Sequence, residues 1–275
     1  MIFFILAMAC IFGGCSHFES SYDKKLKKAN ASIEPISKSS EAKAYPVFEL
    51  VSQERSPYSW ENKVAGQYPL ITKEMFRCKG SYKHPHRNKI GQFNETIIDC
   101  EGGHKHSLPV AGGKEFVYPI LLDLLNYIQD KTQHRVIITC GHRCPAHNTY
   151  ADESIYNLSS KHMIGGEVDF YVKGMEDKPE VIVSLVQDYY KEIKVYQSQN
   201  EYQRFQRLDQ SKVNISTDPW YNKEILIKLY KSFEGRDFDN QHPHPYLSIQ
   251  VRYDRDKQER VLYSWEKAFH SFMRY

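Results

Sequence analysis

The chain has 275 residues, 41% of them apolar, enough to fill the core of one sizeable domain with a tail to spare. Its 37 basic and 34 acidic side chains leave a formal charge of +3, too balanced to argue for nucleic acid as a partner.

Residues 2–12, IFFILAMACIF, form an apolar run too short to span a bilayer, followed by Gly13, Gly14 and Cys15. This layout reads as an export signal over residues 1–14. It resembles a bacterial lipobox, and the resemblance implies that Cys15 carries lipid and anchors the mature protein to a membrane, facing the periplasm or cell wall. Two features depart from that pattern: no basic residue precedes the run, and Phe12 replaces a small or aliphatic residue. An ordinary signal peptide with a different cut is the alternative. Residues 15–45, rich in Ser, Lys, Glu and Ala, read as a flexible tether, and residues 46–275 as the folded domain.

With Cys10 removed and Cys15 lipidated, Cys78, Cys100, Cys140 and Cys144 remain in an oxidising compartment. An even number there suggests two disulfides, and locality favours Cys78 with Cys100 and Cys140 with Cys144. A four-thiolate zinc site is the rival, although neither pair has the two-residue gap of a zinc ribbon.

Residues 115–131 place Phe116, Ile120, Leu121, Leu124, Leu125 and Ile128 at helical spacing and predict a helix with one buried face. Residues 135–140 follow as a short buried strand and run into a loop marked by Gly141, Pro145 and Asn148, in which His147 reads as a loop hydrogen-bonder and Asn148 as a local turn former. A strand is expected over 167–172, helices over 179–193 and 223–233, a strand over 246–254 and a closing helix over 261–272. The stretch 194–241 is longer than a minimal core needs and reads as a lid or substrate wall. Helices and short strands interleave without a nucleotide-binding glycine fingerprint, so the expected class is α+β with a small, mainly antiparallel sheet flanked by helices.

Strand parity locates the chemistry. In 167–172 the apolar Val168, Phe170 and Val172 share one face, and Glu167, Asp169 and Tyr171 share the other, away from the core. In the later strand, counting back in twos from Gln250 through Ser248 and Tyr246 brings His244 and His242 to the polar face. His162 stands seven residues before Asp169 across Gly165 and Gly166. Two imidazoles and a carboxylate suit zinc, with a further imidazole to move a proton. Glu167 reads as a solvated neighbour or a supporting group. The pairs His84/His86 and His104/His106 compete as metal ligands, and His106 is also a candidate to line the cleft.

Residues 139–148, TCGHRCPAHN, then SKHMIGGEVDF at 160–170 and HPH at 242–244 resemble the D-alanyl-D-alanine metallopeptidases of bacterial cell walls. The wider set sharing His-x6-Asp and His-x-His includes murein endopeptidases and the zinc domain of Hedgehog proteins. The resemblance implies their fold, a zinc ion on His162, Asp169 and His244, catalytic assistance by His242, and Arg143 as the cation for a substrate carboxylate or developing oxyanion. It also gives Ser160 a part in substrate binding by orienting the loop. The expected activity is hydrolysis of peptidoglycan stem peptides or cross-links, by carboxypeptidase or endopeptidase action. The family usually reads Ser-Gly-Tyr-Arg where this chain has Cys140-Gly141-His142-Arg143, and His-Pro-His lies nearer the endopeptidase branches. The alternative function is a zinc-containing lipoprotein without turnover that binds cell wall or a partner.

Overall fold

Five apolar side chains on one face make helix α1 (Pro119–Thr132): Ile120, Leu121, Leu124, Leu125 and Ile128 are all buried. Pro119 occupies the first turn, where its missing N–H costs nothing, and Gln133 ends the helix in a left-handed conformation. The computed structural model describes residues 64–81, 86–89, 95–102, 106–152, 159–213, 215–235 and 240–270. The expected signal over 1–14, the lipidation site Cys15, the tether over 15–45, and His84 and His104 lie outside the described residues. Among the described residues, no helix is long and apolar enough to cross a membrane.

The main sheet has six strands: β1 (Val136–Cys140), β2 (Glu167–Val172), β3 (Gln206–Arg207), β4 (Trp220–Tyr221), β5 (Ile225–Tyr230) and β6 (Tyr246–Val251). Their spatial order is β1-β2-β6-β5-β4-β3, and every neighbouring pair is antiparallel. The remaining helices are α2 (Pro145–Ala151), α3 (Pro179–Glu192), α4 (Asn200–Gln203) and α5 (Trp265–His270). Mixed helices around a mostly antiparallel sheet give the α+β class expected from the sequence.

One face of the sheet is apolar: Val168, Phe170, Val172, Ile225, Ile227, Leu229, Leu247, Ile249 and Val251 share a core with α1 and α3. Each such side chain stabilises by roughly 1.5–3 kcal/mol relative to leaving it exposed. The opposite face carries Glu167 and Asp169 on β2, Ser248 and Gln250 on β6, and Lys228 on β5. Register puts Lys228 opposite Ser248 and Ser248 opposite Asp169, so three polar side chains form a row across three strands.

Three local expectations change. The helix expected over 223–233 is strand β5, where buried Ile225, Ile227 and Leu229 alternate with partly buried Leu226, Lys228 and Tyr230. A two-residue period and β-branched Ile override the helical reading. The loop after β1 contains helix α2, opened by Pro145 and capped by Cys144, whose sulfur accepts from the His147 N–H. The stretch read as a lid or wall supplies α4 and strands β3, β4 and β5, extending the sheet.

Candidate metal centre

His162 sits on a 3-10 turn, Lys161–Ile164, opened by Ser160, whose hydroxyl accepts from the His162 N–H at 3.3 Å. Gly165 closes the turn at φ 70, and its N–H donates to the His162 carbonyl. The Gly165 carbonyl accepts from the Tyr118 N–H, and the Gly166 carbonyl from the Val251 N–H. Those bonds tie the turn to the start of α1 and the end of β6, and β2 begins at the next residue. The imidazole is thereby folded back over the side chains of its own following strand. A Cβ on Gly165 would lie 2.9 Å from the Phe116 carbonyl oxygen. Gly165→Ala should therefore lower the urea midpoint by an amount worth about 1–2 kcal/mol from the left-handed conformation alone. An unchanged midpoint would show that the turn adapts.

The His162 ring is fixed at both nitrogens. Nδ1 donates to the Gly141 carbonyl at 2.7 Å, so in the neutral ring Nε2 carries the lone pair. Nε2 faces Asp169 Oδ2 at 3.3 Å and Glu167 Oε2 at 3.7 Å. A lone pair aimed at two carboxylates is repulsive unless a cation, proton or metal, lies between them. Burial alone would push the His162 pKa down, yet the negative charges of Cys140, Glu167 and Asp169 hold it well above the usual histidine range. Two donors on one tetrahedral zinc at about 2.0–2.1 Å stand about 3.3 Å apart, and the observed Nε2 to Oδ2 separation matches. A metal-ligating histidine usually donates its other N–H to a carbonyl or carboxylate, as His162 does to Gly141.

The third donor in reach is Cys140, at the end of β1. Donor atoms of Cys140, His162 and Asp169 all lie within 4.8 Å of one another. The Cys140 sulfur stands 3.6 Å from His162 Nδ1 and accepts from Arg143 Nε at 3.0 Å. His162, Asp169 and Arg143 are 2–3% exposed, so the group is enclosed by protein. Strand parity assigns Asp169 the face opposite the apolar core, and that face is covered rather than solvated. Glu167 is likewise buried: Oε1 accepts from Lys228 Nζ at 3.2 Å, Ser248 Oγ at 2.8 Å and Gln250 Nε2 at 2.6 Å. The solvated role considered for it is excluded, since it is buried with Oε2 beside His162 Nε2.

His244 does not join this group. Its Nδ1 stands 3.0 Å from the Pro245 carbonyl, and its ring packs on Tyr171 with centroids 4.4 Å apart. The residue level with Asp169 is Ser248, four positions later. Strand β6 begins only at Tyr246, so His244 lies ahead of the strand and is not brought among these donor atoms. His242 reaches the centre indirectly. Asn240 Nδ2 donates to Asp169 Oδ2 at 2.6 Å, and Asn240 Oδ1 accepts from His242 Nε2 at 2.8 Å. That bridge puts the proton of a neutral His242 ring on Nε2 and the lone pair on Nδ1. Compared with known proteins, the chain matches no family model, no curated protein and no solved structure.

None of the four cysteines is in a disulfide, and their grouping differs from the local pairing. Cys144 lies with Cys78, Cys100 and His106, whereas Cys140 belongs to the His162 group. A Cys140–Cys144 bridge is therefore not formed: the capping geometry of Cys144 turns its sulfur toward the His147 N–H. Cys78 and Cys100 sulfurs are neighbours at 3.6 Å, outside bonding distance. The three sulfurs hold the His106 pKa up to about 12, through Cys100 first and then Cys144 and Cys78. His147 Nδ1 stands 2.9 Å from Asp99 Oδ1, a hydrogen bond from the loop to a residue 48 positions earlier in the chain. Asn240, Lys228 and Ser248 had no motif to announce them. Strand parity already put Ser248 on the polar face, and the register of β5 on β6 adds Lys228 beside it.

Proposed function

We propose that the chain is a zinc-dependent hydrolase of peptidoglycan stem peptides or cross-links, exported and lipid-anchored through Cys15. His162 and Asp169 hold the metal, with Cys140, rather than His244, as the third donor within reach. The observation that carries this reading is His162 Nε2 set 3.3 Å from Asp169 Oδ2 while Nδ1 is pinned to a carbonyl. Zinc bound there supplies Lewis acidity for a peptide carbonyl and for water. Arg143 holds Cys140 and adds positive charge beside the centre, where it favours a substrate carboxylate or developing oxyanion. His242, oriented through Asn240, moves the proton. The substrate class rests on the resemblance of residues 139–148 and 160–170 to the D-alanyl-D-alanine metallopeptidases.

A second reading, a zinc-containing module that binds wall peptide or a partner without turnover, is favoured by one specific observation. The row Lys228–Ser248–Asp169 places a serine and the protein's own ammonium across the polar face, and the donors are nearly closed to solvent. Digestion of defined muropeptides by the purified chain, followed by mass spectrometry, separates the two. The hydrolase predicts a new fragment, free D-alanine or an opened cross-link, that disappears after exhaustive chelation. Intact muropeptides that nonetheless bind to the zinc-loaded chain would overturn the hydrolase and leave the binder.

A further inference from the structure

We propose that Cys78, Cys100, His106 and Cys144 form a second, closed zinc site whose role is structural. This site uses none of the residues of the hydrolase reading and stands or falls separately. Three separate parts of the chain converge on it, at residue 78, at residues 100 and 106, and at residue 144. Cys78 follows the 3-10 turn Lys73–Phe76, and Cys100 follows the hairpin strand Glu95–Ile98. His106 precedes the short strand Val110–Ala111, and Cys144 caps α2. One donor atom from each lies within 4.8 Å of all the others.

The sulfur spacing distinguishes metal from disulfide. A disulfide holds its sulfurs at about 2.05 Å. Two thiolates on one tetrahedral zinc, each bonded at about 2.3 Å, stand about 3.8 Å apart. The Cys78 and Cys100 sulfurs are separated by 3.6 Å. Three thiolates and one imidazole are a known structural zinc set, and such sites are enclosed. Here Cys78, His106 and Cys144 are at most 4% exposed.

The local backbone is built to present those sulfurs. Cys78-Lys79-Gly80 and Cys100-Glu101-Gly102 repeat a Cys-x-Gly pattern, and both glycines are left-handed, at φ 64 and 65. The Gly102 N–H donates to the Cys100 sulfur at 3.3 Å, and the His147 N–H donates to the Cys144 sulfur at the same distance. Such N–H bonds offset the net negative charge of three thiolates around a divalent ion. The two turns face each other so closely that a Cβ on Gly102 would collide with the Lys79 carbonyl, and one on Gly80 would come within 2.6 Å of the Gly102 nitrogen.

The site also touches function by position. Cys144 directly follows Arg143, and the His142 N–H donates to the Phe76 carbonyl at 2.6 Å. Gly141, whose carbonyl orients His162, packs so tightly on Phe76 that a Cβ would lie 2.7 Å from its Cα. A metal holding Cys78 to Cys144 clamps that loop onto the preceding segment, and with it Gly141 and Arg143.

The test uses the full chain carrying Asp169→Asn, which removes any zinc held by the other centre. X-ray absorption at the zinc edge should report three sulfurs at about 2.3 Å and one nitrogen at about 2.0–2.1 Å. Thiol titration should gain three reactive cysteines per chain after chelation. His106→Ala and Cys144→Ser should each lower zinc content and the melting temperature; if either fails to fold, the absorption measurement still decides. Zinc with only nitrogen and oxygen neighbours, or a metal-free chain with Cys78 and Cys100 oxidised to a disulfide, would overturn the proposal.

Discussion

Glu167→Gln should destabilise the fold by about 3–5 kcal/mol, because it leaves the ammonium of Lys228 buried without its full counter-charge. Both groups are enclosed: the side chains are 7% and 13% exposed. Lys228 Nζ stands 3.2 Å from Glu167 Oε1 and 3.1 Å from Tyr230 Oη. Burial by itself would drive the Lys228 pKa down, and Glu167 is the main charge that holds it above the usual lysine value, so neutralising Glu167 removes the chief support of the buried ammonium. The amide of a glutamine still accepts from Ser248 or Gln250 but cannot return the charge. Removing both charges, in Glu167→Gln with Lys228→Met, should recover most of the loss, since the desolvation cost then disappears from both sides. Urea unfolding with an unchanged slope checks the prediction. A single-mutant loss below about 1 kcal/mol would mean that water reaches the pair and that it behaves as a surface ion pair.

The same polar face explains what could be read from the chain before its structure was known. Strand β2 was legible residue by residue, since Val168, Phe170 and Val172 alternate with Glu167 and Asp169. Parity identified the face that carries Asp169, but it gives no position along a strand and does not hold past the strand's end: β6 begins at Tyr246, and the residue facing Asp169 is Ser248. Strand β5 was hidden because Leu226 and Leu229 satisfy a helical spacing as readily as Ile225, Ile227 and Leu229 satisfy a strand. That misreading removed Lys228 from view, and with it the counter-ion of Glu167. Cysteine pairing failed for a related reason: Cys140 and Cys144 are close in sequence, yet the end of β1 and the cap of α2 aim their sulfurs at different clusters. The repeated Cys-x-Gly was visible in the sequence. Its meaning depended on His106 and Cys144, which only the fold brings near.

Asp169→Asn is the sharpest probe of the candidate centre, because the substitution keeps shape while removing the ligand charge. Asn240 can still donate to the remaining carbonyl oxygen, so the bridge to His242 has a route to survive. The fold should therefore hold while the chain loses about one zinc relative to the unaltered protein, and cleavage of muropeptides should fall by about 100-fold or more. Two companions locate the effect. Asn240→Ala leaves the ligand charge but frees its orientation, for which a 10–100-fold loss of metal affinity or activity is typical. His242→Ala should keep the zinc and lose turnover, since its link to the centre runs through Asn240 rather than through a donor atom. If Asp169→Asn retained the zinc content and turnover of the unaltered chain, His162 and Asp169 would be a protonated ion pair, and their 3.3 Å approach would be accounted for by a proton alone.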